Sequence, residues 1–233
     1  MAIVRTKAIL LKNYPFGESS EIAILLTEKL GKVKIAVKGA RRLKSSTRAK
    51  IIPYAISDLV IYVHPKKDVY NIKEAHLIKV FKRATDMEFQ KIVSTVLNIV
   101  DNYVHEGPGG DKIFHLLQNF LEILDTSENG KVLQFSFILK FLKIMGLSPI
   151  LRRCVVCGRE EELGFFSATI GGVVCSNCAK EIDSPIRINE GLRKALIFLE
   201  EKDFEQVAKF ATDRERIEKI LKEYLEYHLG VTI

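Results

Sequence analysis

Two short cysteine pairs constrain this chain more than any other feature. "CVVC" places Cys154 and Cys157 together, "CSNC" places Cys175 and Cys178 together, and the sequence has no other cysteine. Each pair brings two thiolates within reach of one ion. The 17 residues between the pairs, "GREEELGFFSATIGGVV", are about the length of a β-hairpin that returns the second pair to the first. Four thiolates at ~2.3 Å complete a tetrahedron around Zn2+ and leave no position for substrate water. The spacing therefore predicts one structural Zn2+ per chain, stapling a subdomain too poor in apolar residues to fold alone. Redox cysteines or an iron–sulfur cluster are the alternatives. Few cations stand nearby (Arg152, Arg153, Arg159 and Lys180), and "EEE" at 160–162 would repel phosphates, so a further role of this segment in contacting nucleic acid has only weak support.

Ahead of the cysteines the hydrophobic period changes once. Residues 1–80 read as β, with strands at Val4–Lys12, Glu21–Thr27, Lys32–Lys38, Ile56–Val63 and Tyr70–Lys79. "PFGESS", "EKLGK" and "HPKKD" supply the turns. In "VKIAVK", Val33, Ile35 and Val37 face one way and Lys34, Ala36 and Lys38 the other; in "LVIYVH", Leu59, Ile61 and Val63 oppose Val60, Tyr62 and His64. Five short strands in about 80 residues suit a small antiparallel barrel.

From about Thr85 the spacing is helical. Phe89, Ile92, Val93, Val96, Val100, Tyr103 and Val104 form one stripe; Ile113, Leu116, Leu117, Phe120, Leu121 and Leu124 form a second, after the break at "HEGPGGD". A third helix, Lys131–Met145, is apolar almost all round and belongs at the centre of a bundle. Asp203 with Gln206 resembles a capping box, and a last helix over Asp213–His228 ends near Gly230. The predicted fold is α+β: a five-stranded barrel over 1–80, a helical bundle begun over 81–150 and completed over 185–233, and a four-cysteine zinc finger over 151–184.

Charge is unevenly spread. Residues 1–80 hold 16 Lys and Arg against 6 Asp and Glu, whereas the rest of the chain holds 20 against 23. The excess centres on "VKGARRLKSSTRAK", the long connection after the third strand, with Lys38, Arg41, Arg42, Lys44, Arg48 and Lys50. A run of charges alone is equally well a solvated loop. Here no acid occurs between Glu28 and Asp58, Lys29, Lys32 and Lys34 extend the run, and Lys34 and Lys38 share a strand face. Tyr14, Phe16, Tyr54, Tyr62 and Tyr70 in the same module could stack on bases, although some must fill the barrel. Candidate phosphate-binding residues are thus Lys34, Lys38, Arg41, Arg42, Lys44, Arg48 and Lys50.

No catalytic signature appears. The five histidines are scattered, and "GPGGD" lacks the phosphate-loop pattern and follows a helix rather than a strand. The apolar runs are too short to span a bilayer, and Lys and Arg interrupt the N-terminal apolar stretch, so the expectation is a cytoplasmic, non-enzymatic binding protein.

The chain resembles the RecO family of bacterial recombination mediators. The resemblance rests on "GESSEI", "TEKLGK" and "KGAR" within the first 42 residues, on the cysteine quartet after "GLSPILRRC", and on the order barrel, helices, quartet, helix. It implies that the barrel over 1–80 is of the oligonucleotide-binding (OB) type. It implies binding of single- and double-stranded DNA, annealing of complementary strands, and a nucleoid-associated location. It also implies partnership with RecR, contact with the acidic tail of single-strand-binding protein, and help in loading RecA. No catalytic residue is implied. An RNA-binding factor with the same barrel logic, or a hydrolase with a structural zinc, are the competing readings.

Overall fold

The alternation in "VKIAVK" has a direct structural counterpart. The computed structural model describes residues 2–41, 48–64 and 66–231, and the chain divides into two compact units, Met1–Thr126 and Ser127–Ile233. In the first, β1 (Ala2–Phe16), β2 (Ser20–Thr27), β3 (Gly31–Val37), β4 (Ala55–Val63) and β5 (Val69–Val80) close into a barrel of order β1-β2-β3-β5-β4. All neighbours pair antiparallel except β3 and β5, which pair parallel. This is the five-stranded barrel expected from the sequence. Its interior holds Leu10, Leu25, Val33, Ile35, Val37, Leu59 and Ile61, with Ala8, Ala23 and Ala75 fitting between them.

Not every strand alternates. "IAILL" in β2 is buried on both faces, because Ala23 and Leu25 point into the barrel while Ile22, Ile24 and Leu26 point outward. Two helices of the same unit follow, α1 (Met87–Tyr103) and α2 (Asp111–Leu124), and they pack on β1 and β2 respectively. The expected α1 stripe of Phe89, Ile92, Val93, Val96 and Val100 is buried. Along α2 the buried stripe includes Phe114, whereas Leu116 is only half-buried. Asp86 caps α1 by accepting from the backbone N–H of Glu88 and Phe89.

"GPGGD" joins the two helices as a packing device. Gly107 donates its backbone N–H to the Lys32 carbonyl at 3.0 Å. Gly31, at φ +66°, approaches so closely that a Cβ there would meet the Gly107 carbonyl oxygen at 1.9 Å. Only glycine satisfies both the left-handed backbone and the contact.

The second unit is built around α3 (Gly130–Ile144), whose Val132, Leu133, Phe135, Phe137, Ile138, Leu139, Phe141 and Leu142 are all buried. It packs against α4 (Glu190–Glu201), the short α5 (Phe204–Val207) and α6 (Arg214–Leu229). This is the central helix that its all-round apolarity predicts. Asp203 caps α5 through the Gln206 N–H, and Gly230 ends α6 in the left-handed region. Between α3 and α4 a small sheet of β6 (Phe165–Ser167), β7 (Gly172–Val174) and β8 (Ile186–Arg187) runs in the order β7-β6-β8.

Gly31→Ala is expected to destabilise the first unit by more than the ~1 kcal/mol of an ordinary glycine substitution. Chemical denaturation of the variant beside wild type measures it; an unchanged midpoint would show that the loop yields freely.

Candidate nucleic-acid interface and metal centre

Lysines on the outer face of β3 start with the same chemistry and end in different environments. Lys32 is buried, and its ammonium lies 2.9 Å from Oδ1 of Asp101 on α1. It also donates to the Asp101 backbone carbonyl. Lys12 of β1 pairs with Oδ2 of the same carboxylate. Burial pushes the Asp101 carboxyl up, but the hydrogen bonds and charges of Lys12 and Lys32 more than offset it and hold it below the usual carboxylate range. Lys34, one step along β3, pairs with Glu106 at 2.5 Å and stays partly exposed.

Beyond the end of β3 the pairing stops. Lys38 and Arg41 are exposed and Lys50 is half-buried; none of them forms an ion pair among the described residues. Arg41 is fixed by its backbone: its N–H donates to the Ser19 carbonyl at 3.0 Å, and its guanidinium reaches the Glu18 carbonyl at 3.4 Å. The basic connection therefore starts at the tip of the β1–β2 hairpin. Arg42 and Lys44 lie outside the described residues, and Arg48 is described only by its backbone, which opens a short 3-10 turn at Arg48–Lys50. The aromatics sort by exposure. Tyr70 packs on the barrel core and Tyr54 packs edge-on against Phe89, whereas Tyr14 and Phe16 stand open.

Lys32, which extends the basic run in the sequence, is buried against Asp101 rather than open on a continuous basic surface. Asp101 itself was missed, as were Lys12 and Glu106. A signal for Asp101 was present, since it stands four residues after buried Leu97 and eight after buried Val93, on the inward stripe. A second basic group was also not read. Arg187, Arg216 and Lys219 line a groove of the second unit together with Pro185, Ile186, Leu192 and one acid, Glu223.

The four cysteines converge as their spacing predicts. Their Sγ atoms all lie within 4.8 Å of one another, and those of Cys157 and Cys175 are 3.8 Å apart. Sulfurs tetrahedrally placed at ~2.3 Å from a shared ion stand about 3.8 Å apart, so the donor set fits a metal ion. The intervening residues form the β6–β7 hairpin, paired Phe165 to Val174 and Ser167 to Gly172. Gly158, at φ +76°, turns the first knuckle and donates to the Cys154 carbonyl at 2.9 Å. The hairpin locks onto the first pair through Val155 N–H to the Val173 carbonyl at 3.0 Å. Burial pushes the Cys154 thiol up, but the amides of Cys157, Cys175 and Val156 outweigh it and bring it down to about 6. Cys175 is lowered chiefly by the Cys178 amide. Cys178 is pushed up to about 12, first through its hydrogen bond with Cys175. Cys154 and Cys175 are thus the two sulfurs whose deprotonation the backbone amides assist. Beside the quartet, Glu160, Glu161, Glu162 and Glu190 line a single groove.

Comparison with known proteins matches this architecture from end to end. Residues 1–81 match the family described as Recombination protein O N terminal, and residues 85–233 match Recombination protein O C terminal. The chain belongs to the RecO family. It is 28% identical to the DNA repair protein RecO of Caldanaerobacter subterraneus over 98% of this chain and 94% of that protein. The RecO of Thermoanaerobacter sp. (strain X514) is 29% identical, with coverage of 99% and 94%, and that of Caldicellulosiruptor saccharolyticus is 30% identical, with coverage of 94% and 85%. This RecO family member is accordingly a DNA repair protein by family, with a five-stranded barrel and a four-cysteine cluster. Among the described residues no helix is long and apolar enough to cross a membrane.

Removing Asp101 leaves buried Lys32 without its counter-charge, so Asp101→Ala is expected to cost about 3–5 kcal/mol. Because the folded carboxyl is depressed, its contribution is full above the unfolded value of about 4 and is lost as pH falls through the lower folded value. Unfolding free energy measured from pH 6 to pH 3 should fall less steeply in Asp101→Asn than in wild type.

For the cysteines, metal analysis should find about one ion per chain. Cys154→Ser or Cys175→Ser, each removing a buried ligand, should abolish it and lower the thermal midpoint. A folded, metal-free wild-type protein would overturn the site.

Proposed function

We propose that this protein is a recombination mediator that binds single- and double-stranded DNA and anneals complementary strands. In this reading it also helps load RecA onto DNA coated with single-strand-binding protein. The observation that carries the proposal is the gradient of charge along β3, in a chain belonging to the RecO family over its length. Carboxylates of the barrel unit neutralise the lysines at one end, whereas at the other end Lys38, Arg41 and Lys50 form no ion pair among the described residues. Lys38, Arg41, Arg42, Lys44, Arg48 and Lys50 would neutralise phosphates on two strands at once and lower the repulsion that opposes annealing. Lys34 joins them only by exchanging Glu106 for a phosphate. Little base-specific readout is expected from such contacts.

The remaining segments take supporting roles. The barrel over 1–80 is the nucleic-acid module, the helices over 81–150 and 185–233 are its scaffold and partner surfaces, and 151–184 holds a structural Zn2+ through Cys154, Cys157, Cys175 and Cys178. That ion would fix the two knuckles and the hairpin; its chemistry is structural, because four thiolates leave no open coordination position. RecR and the acidic tail of single-strand-binding protein are the protein partners. The groove lined by Arg187, Arg216 and Lys219 with Pro185, Ile186 and Leu192, against the single acid Glu223, offers the cations and apolar surface that an acidic tail needs. No residue is assigned a catalytic role, and the expected location is cytoplasmic, at the nucleoid.

With ~6 phosphate contacts, DNA affinity should fall about 10³-fold between 50 and 200 mM salt. Joint charge reversal of Arg41, Arg42 and Lys44 to Glu should flatten the dependence of log affinity on log salt by about 2–3 and slow annealing. Equal binding by wild type and the triple variant at moderate salt would move the site elsewhere. Preference for an equal-length RNA would favour the RNA-binding reading instead.

A further inference from the structure

The barrel registers define rows of side chains across its outer face. Tyr14 stands opposite Ile22, Ile22 opposite Ala36, and Ala36 opposite Asn71. Directly opposed residues point the same way, so these four form one row across four strands. The adjacent row is Lys12, Ile24, Lys34 and Val69. Both are on the outer face, because Ala23, Leu25, Val33, Ile35 and Val37 of the alternate positions fill the interior. Phe16, opposite Ser20, carries the face two residues further along β1.

The two rows differ in what covers them. In the Lys12–Lys34 row the charges are taken by Asp101 and Glu106. In the next row and beyond it, Tyr14 is 41% and Phe16 58% exposed. Single exposed aromatics are ordinary. Two on one face are less so, and here they adjoin Lys38 and Arg41, cations with no carboxylate partner among the described residues. Of the hairpin's two acids, Glu21 accepts a hydrogen bond from Asn13 at 2.8 Å, both on the opposite face by the same alternation, and Glu18 lies in the turn, where its backbone carbonyl accepts from the Arg41 guanidinium.

We propose that Tyr14 and Phe16 form the stacking platform for unpaired bases of single-stranded DNA, with Lys38 and Arg41 holding the flanking phosphates. The proposal rests on the DNA-binding reading and adds to it the residues that tell one strand from two. Positions i and i+2 of a strand are about 7 Å apart, roughly twice the 3.4 Å step between stacked bases. The rings therefore meet successive bases only of a strand that is already unstacked. A duplex hides its base faces and offers this platform nothing. Cations alone bind both forms, so the rings would supply the preference for the unpaired one.

The chain contains no tryptophan, so Phe16→Trp creates a single indole reporter. Adding an oligothymidylate should quench its emission saturably. Tyr14→Ala and Phe16→Ala should each weaken binding of that oligonucleotide roughly 5- to 100-fold. The salt dependence and the affinity for a duplex should stay at wild-type values. Tyr227→Ala, which removes an exposed ring on α6, should change nothing. The proposal is overturned if wild type binds the oligonucleotide and both alanine variants bind it equally well. It is also overturned if folded variants lose duplex and single-strand affinity in equal measure. Wild-type protein that binds no DNA would remove the underlying reading as well, which separates the two failures.

Discussion

The carboxylate of Asp101 organises the barrel unit. It takes a charge from β1 through Lys12 and one from β3 through Lys32, and the Lys32 ammonium also meets the Asp101 backbone carbonyl. Such an ion cluster is a poor source of net stability, because desolvating Asp101 and Lys32 costs nearly as much as their attraction returns. Its effect is on arrangement. Sliding α1 along the sheet would leave Lys32 buried and uncompensated, so the helix is held at one position along β1 and β3. The turn of Gly31 against Gly107 fixes the same end by shape. Together they decide which lysines of β3 are consumed inside the unit and which remain for a ligand.

The cysteine centre solves a different problem in the second unit. Its sheet consists of strands two or three residues long, far too short to be stable alone. Two knuckles and a hairpin tie the segment together, and buried Phe166 and Val173 anchor it to the unit's own core. Backbone amides aimed at Cys154 and Cys175 prepare the sulfurs for a cation. Here the metal ligands do what a large apolar core does elsewhere.

Much of this was legible in the residues. Period-two alternation located β3 and β4, three- and four-residue spacing located α1 and α6, and the C-x2-C pairs announced both their convergence and the hairpin between them. What periodicity does not carry is which body covers a given face. "EIAILLT" fails to alternate because helices cover the outside of β2, and no local pattern says which helices those are. In the same way the lysines at 32, 34 and 38 look identical in sequence. Their fates depend on Asp101 and Glu106, about 70 residues away. Arg42 and Lys44, central to the basic run, lie outside the described residues, so their contribution rests on sequence alone.

The Lys34–Glu106 pair has a kinetic and selective meaning beyond its small stability. Glu106 is tethered by the loop that docks on Lys32, so it competes for Lys34 as an intramolecular ligand with high effective concentration. A free chloride or a single nucleotide must outbid that tethered carboxylate unaided. A polymer already seated on neighbouring cations competes as a tethered ligand too, on equal terms. On the proposed DNA-binding reading, the pair would work as a threshold, turning a sticky lysine into one that responds to length of polyanion rather than to anions in general.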